Sequence, residues 1–206
     1  MVKFNDLQSQ WLAIKDNAML EIEELMNNCQ FILGPQVERF EKSFADYCGC
    51  RHAIGVSNGT DGIKIAAKAI DIHHSQLKVY MPANTFVATW LGIKDAYPHS
   101  DIELVDIKED GTMDLDILRS KLETPQTYAA GVTHVNLVVA VHMFGNCDNL
   151  DEISQICEET RSFLMEDASQ AHGATTKIGT VAGSKGVASV FSLYPGKNLG
   201  GGGDAG

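Results

Sequence analysis

What this chain has little of narrows it first. In 206 residues no apolar run approaches the ~20 needed to span a bilayer, and the opening Met1-Val2-Lys3-Phe4-Asn5-Asp6 has no signal-peptide h-region. These absences exclude a membrane partner and predict a cytoplasmic protein. Basic residues are scarce: 16 Lys and Arg against 27 Asp and Glu give a net charge of −11. Binding a phosphate backbone demands clustered Lys and Arg, so nucleic acid is not an expected partner, whereas a small anion needs only a local site. Cysteine is sparse and odd in number (Cys29, Cys48, Cys50, Cys147 and Cys157), which predicts free thiols instead of a disulfide framework. Cys48-Gly49-Cys50 has no second Cys or His pair at zinc-ligand spacing, so no metal is expected. The glycine run 200–203 is not followed by the Lys-Ser/Thr of a P-loop and reads as a flexible or sharply turning segment.

The apolar residues that are present fall into order. Leu7, Trp11, Ile14, Met19, Ile22, Leu25 and Met26 follow helical spacing, and Gly34-Pro35 ends that segment. Val37, Phe40, Phe44 and Tyr47 then form the stripe of a second helix. Beyond it, strands are expected at 52–57, 78–82, 102–107, 135–144, 162–166 and 187–193. Helices are expected at 60–70, 85–95, 114–122 and 148–161. The Val-rich run 135–144 has the composition of a strand buried on both faces. Asp148 is the expected cap of the helix after it, and Thr112 or Asp114 of the one before. Alternation of this kind predicts an α/β fold with a mainly parallel sheet and helices on both faces. Ligands of such sheets gather beyond the carboxyl ends of the strands, near which Ser57, Pro82, Phe144, Asp167 and Ser192 fall.

Each candidate residue has a plain reading beside a chemical one. Ser57-Asn58-Gly59-Thr60-Asp61-Gly62 is either an ordinary strand-to-helix turn with Thr60 as N-cap or a place where backbone N–H groups meet a phosphate. Phe86 is either a core residue or a platform for a flat ring. Asp167, directly after the apolar 163–165, is either a cap or an acid facing a ring nitrogen, with Gln170 beside it. His172 is ambiguous, a buried histidine on its plainest reading. Lys197 is either a surface lysine or an amine that holds an aldehyde, with Ser192 five residues before it on a strand end. An acid at one strand end and an amine beyond another are the two fixed points of a pyridoxal 5′-phosphate site.

Taken in order, Phe31-Ile32-Leu33-Gly34-Pro35, Ser57-Asn58-Gly59-Thr60-Asp61, Thr85-Phe86-Val87-Ala88-Thr89, residues 166–173 and residues 192–200 resemble the DegT/DnrJ/StrS family of pyridoxal-phosphate-dependent sugar aminotransferases. The resemblance implies the large domain of an aspartate-aminotransferase-like fold (PLP fold type I). It implies an N-terminal helical segment over 1–36 and a cofactor-binding domain over 37–206 that is truncated, with the small C-terminal domain missing. It also implies a homodimer with active sites at the subunit interface. Residue by residue, Lys197 looks like the Schiff-base lysine and catalytic base, and Asp167 like the partner of the ring nitrogen. Gln170 resembles the neighbour of the ring hydroxyl and Phe86 the stacking aromatic, while Gly59, Thr60 and Ser192 resemble the phosphate contacts. The implied reaction moves an amino group from glutamate or glutamine to a nucleotide-linked keto sugar, in amino-sugar and polysaccharide biosynthesis. Asp61 is similar to its counterpart in enzymes acting on 3-keto sugars. The alternatives within the resemblance are a truncated non-catalytic or regulatory relative, and a sugar dehydratase that uses pyridoxamine phosphate. The dehydratase carries histidine at the lysine position, so Lys197 counts against it.

Overall fold

Asp6 opens the first helix, α1 (Leu7–Asn28), by accepting the Ser9 N–H at 3.3 Å, and Cys29 closes it in the left-handed region at φ 53°. Gly34 and Pro35 open α2 (Pro35–Cys48), where proline's missing N–H costs nothing and its fixed φ suits the first turn. Gly49 ends α2 at φ 69°. The computed structural model describes residues 5–70, 75–124 and 133–206. It divides into two units, Met1–Gly55 and Val56–Gly206, so α2, grouped above with the larger domain, lies in the first unit. Within that unit Phe40 stacks on Phe44 at 5.6 Å, and Arg39 pairs with Glu21 at 2.7 Å.

The second unit is built on a five-stranded, wholly parallel sheet of order β2-β1-β3-β4-β5. In chain order its elements are α3 (Gly59–Ala69), β1 (Ser75–Pro82), α4 (Val87–Ala96), β2 (Asp101–Val105), α5 (Leu115–Glu123), β3 (Thr133–Val141), α6 (Leu150–Thr160), β4 (Phe163–Asp167) and β5 (Ala188–Val190). Central β3 is buried on both faces, with Leu137, Val138, Val139 and Ala140 all closed to solvent, as its unbroken apolar run requires. Odd-numbered residues of β1 and β3 (Val79, Met81, Leu137, Val139) join Ile63 of α3, Ile93 of α4, Met165 and Val190 in one core. The chain leaves β1 through α4 towards one sheet edge and leaves β3 through α6 towards the other. Right-handed crossovers therefore put these helices on opposite faces, and the order reverses between β1 and β3. A ligand crevice is expected beyond the carboxyl ends at such a reversal.

Several local expectations are corrected. Residues 52–57 form no strand: Val56 exchanges two hydrogen bonds with Gly206 (2.9 and 3.0 Å), and one pair does not make a ladder. Asn58, not Thr60, caps α3, because its side chain is the one that reaches the Asp61 N–H, at 2.8 Å. Asn149, not Asp148, precedes α6. β3 stops at Val141, and Phe144 sits beyond it in a 3₁₀ turn (Met143–Gly145) at φ 53°. The thirteen residues after Leu193 turn sharply, pinned where Leu193 N–H meets Ala205 O and Gly201 N–H meets Leu193 O, each at 2.8 Å.

All five cysteines are free thiols, and burial pushes Cys157 up to about 12. At pH 8 a thiol reagent is therefore expected to modify exposed Cys29 in the folded chain and to reach Cys157 only after unfolding. Equal labelling rates for the two, read by peptide mass, would contradict this packing.

Candidate active site

The crevice expected at the strand-order reversal is present as a cavity of about 560 Å³. Gly59, Thr60, Phe86, Asp167, Gln170, Ser192 and Lys197, the seven residues that the resemblance pairs with a cofactor, all line it, and His172 is not among its lining. Each arrives on a different support. α3 delivers Gly59 and Thr60 at its N-terminus, where the Asp61 N–H is taken by Asn58 Oδ1 and the Gly62 N–H by the Asn58 carbonyl. Among the described residues the N–H groups of Gly59 and Thr60 have no protein acceptor, which leaves the positive end of the helix open to an anion.

Close packing sets the width of this end. A Cβ on Gly62 would come within 2.7 Å of Val190 Cγ1, so only glycine lets α3 lie so tightly on β5. One turn earlier, a Cβ on Gly59 would meet Ser192 Cβ at 3.0 Å and Ser169 Oγ at 3.4 Å. Gly59, Thr60 and the Ser192 hydroxyl thus form a small cradle. The neighbouring Asp61 carboxylate is engaged by the Ser57 hydroxyl and by the Asn58 amide at 3.1 Å.

At the cavity floor Asp167 ends β4 and is 6% exposed. Its Oδ2 accepts the Thr89 hydroxyl at 2.6 Å, and its Oδ1 accepts the Ser169 N–H at 3.2 Å. Thr89 is itself closed to solvent, and its Oγ1 lies 2.7 Å from Thr85 Oγ1 on the cavity wall. Phe86, at the head of α4, is 66% exposed at the rim and does not serve the core. Gln170 accepts the Phe144 N–H through Oε1 at 2.9 Å, which leaves its NH₂ as a donor. Lys197 is held in its turn by its own N–H on Tyr194 O at 2.8 Å. His172 lies 5.2 Å from the Phe191 ring, and burial first, then the Lys197 charge, hold its imidazole below the usual range.

Behind Asp167, sequence reasoning missed a second acid-centred cluster. Glu166 is fully buried, and its two oxygens accept the N–H groups of Gly183 (2.6 Å), Lys185 (2.8 Å) and Gly186 (2.7 Å). His142 Nε2 lies 2.9 Å from Oε2. Burial alone raises the Glu166 pKa, but His142 and the backbone N–H donors outweigh it and hold the carboxyl below its ordinary value. The cluster ties the segment entering β5, beyond which Ser192 and Lys197 lie, to the end of β4, which carries Asp167. The available signal was alternation: adjacent Glu166 and Asp167 on one strand point to opposite faces, so both needed partners.

No helix among the described residues is long and apolar enough to cross a membrane. The sequence model of the DegT/DnrJ/EryC1/StrS aminotransferase family matches residues 12–206. A relative, the dTDP-3-amino-3,4,6-trideoxy-alpha-D-glucose transaminase of Streptomyces venezuelae, is 31% identical over 205 residues, covering 100% of this chain and 51% of its own. The crystal structure of S. venezuelae DesV in complex with a ketimine intermediate superposes with a TM-score of 0.85 at 28% identity, covering 99% of this chain and 52% of that one. NtdA from Bacillus subtilis, with bound cofactor PMP, superposes with a TM-score of 0.76 at 28% identity over 92% of this chain and 40% of its own. The chain spans about half the length of the curated relatives it matches.

Proposed function

This chain belongs to the DegT/DnrJ/EryC1/StrS aminotransferase family, and on that premise we propose that it binds pyridoxal 5′-phosphate and moves an amino group from glutamate or glutamine to a nucleotide-linked keto sugar. The observation that carries the reading is the convergence of Asp167 and Lys197 on one cavity with an open helix N-terminus. The donors present suit the cofactor. The gap beside Gly59, which a single Cβ would close onto Ser192, has the open N–H groups and hydroxyl that a phosphate requires. The buried Asp167 suits a ring nitrogen, and the Gln170 NH₂ a ring oxygen. When bound, this cofactor supplies an aldehyde that takes up amines and a ring that withdraws electrons.

The chain's own groups have distinct tasks. With the cofactor bound, Lys197 Nζ would hold it and, when free, would move a proton between the reacting carbons. Asp167 keeps a proton at the ring nitrogen. Phe86 covers the ring and excludes water, and Gly59, Thr60 and Ser192 hold the phosphate. A 3-keto sugar is the acceptor we favour: the S. venezuelae relative is named for a 3-amino sugar, and Asp61 stands beside the cradle. Self-association as a homodimer is part of the same reading. It is supported by α1, which buries none of its residues and exposes Leu12, Leu20 and Met26.

Borohydride treatment of the chain incubated with pyridoxal 5′-phosphate is expected to fix the cofactor on Lys197, seen as a mass increase on the peptide that contains it. Fixation on another lysine, or none, would overturn the assignment.

A further inference from the structure

We propose that Thr89 is a positioning residue that aligns Asp167 and Phe86 with each other across the cofactor cavity. The inference rests on the reading of Asp167 as the partner of the ring nitrogen. Thr89 lies in the first turn of α4, is closed to solvent, and bonds a carboxylate 78 positions along the chain, at 2.6 Å. A threonine has one hydroxyl proton, and here it goes to Asp167 Oδ2. In the 2.7 Å contact with Thr85 the donor is therefore Thr85, and the chain runs Thr85 to Thr89 to Asp167.

Two consequences follow from this direction. Asp167 is gripped from two sides, by the Thr89 hydroxyl on Oδ2 and the Ser169 N–H on Oδ1, so its carboxylate cannot rotate freely. The same two threonines bracket Phe86, whose carbonyl accepts the Thr89 N–H at 3.1 Å. The acid at the cavity floor and the backbone of the aromatic at the rim are thus both fastened to one buried residue, the acid by the Thr89 hydroxyl and Phe86 by the Thr89 N–H. A β-branched residue suits the post, since its stiff χ1 aims the hydroxyl.

The test uses the full chain and pyridoxal 5′-phosphate. Thr89→Val keeps the shape and removes the hydroxyl. It is expected to weaken cofactor binding about tenfold, the scale of a lost hydrogen bond to a charged group, and to shift the pH profile of the bound cofactor's visible absorbance. Thr89→Ser is expected to restore both, and Thr85→Val to move them in the same direction by less. If the native chain fixes no cofactor on Lys197, the underlying reading falls. If it does, and Thr89→Val binds with native affinity and pH profile, this inference alone falls. Should the valine variant not fold, as seen by circular dichroism, Thr85→Val carries the decision: native affinity and pH profile there overturn the proposal.

Discussion

Glu166→Gln is expected to remove about 3–5 kcal/mol of stability and to lower the melting temperature by roughly 10 °C at pH 7. The carboxylate is acceptor-only and meets donors on both oxygens: Lys185 and Gly186 N–H on Oε1, Gly183 N–H and His142 Nε2 on Oε2. An amide must turn its NH₂ towards one of these pairs. His142 can change tautomer, but a backbone N–H cannot become an acceptor, so either orientation sets donor against donor in a dry site. The pH dependence has a definite sign. Because the folded state holds Glu166 below its ordinary 4.5, its contribution is complete above that value and is lost as pH falls through the lower, folded value. The gap between native and variant melting temperatures is therefore expected to be widest near neutrality and to narrow below pH 4.5. Scanning calorimetry across that range decides it; equal melting at pH 7 would mean that the cluster does not bear on the fold, and a gap that persists in acid would mean that the ionised carboxylate is not its cause.

How much of this was legible in the residues depends on the range of the interaction concerned. Strand β3 and the helices flanking it could be read because burial on both faces leaves an unbroken apolar run, and amphipathic helices repeat every few residues. The residues lining the cavity could be read because Asp167 ends β4 and Ser192 and Lys197 follow β5, where a parallel sheet gathers ligands, although the strand expected before Gly59-Thr60 does not form. What failed was local choice among similar donors and acceptors. Asn58 and Thr60 are both capping types, as are Asp148 and Asn149, and only the direction of the incoming chain selects one. Residues 52–57 have strand composition, but pairing needs a partner that composition does not name. Thr89, His142 and Glu166 were missed for the same reason. Each looks ordinary beside its neighbours, and its partner lies tens of residues away.

The turn that carries Lys197 supports the second large effect. Of the glycine run, Gly200 faces backbone most closely: a Cβ there would overlap the Pro195 carbonyl oxygen and stand 2.8 Å from its carbon and 3.1 Å from its Cα, whereas at Gly201 the nearest backbone atom, Leu193 O, is 3.3 Å away. These Pro195 atoms cannot rotate away as a side chain would, so Gly200→Ala must open the turn. Opening it strains the Gly201 N–H bond to Leu193 O and moves the segment in which Lys197 N–H meets Tyr194 O. A stability loss of about 1–3 kcal/mol is expected, the scale of overpacking, together with a drop in borohydride fixation on Lys197 to roughly a tenth, since 1.4 kcal/mol of misplacement is already tenfold. Gly202 and Gly203 supply the comparison, for a Cβ at either meets nothing within 4 Å. Gly202→Ala and Gly203→Ala are expected to lie within about 0.5 kcal/mol of the native chain and to fix cofactor normally. Chemical denaturation and peptide mass, run on the three variants together, separate the cases. If all three behave alike, the run is a passive tether; if only Gly200→Ala loses fixation, one glycine sets where the amine of Lys197 stands.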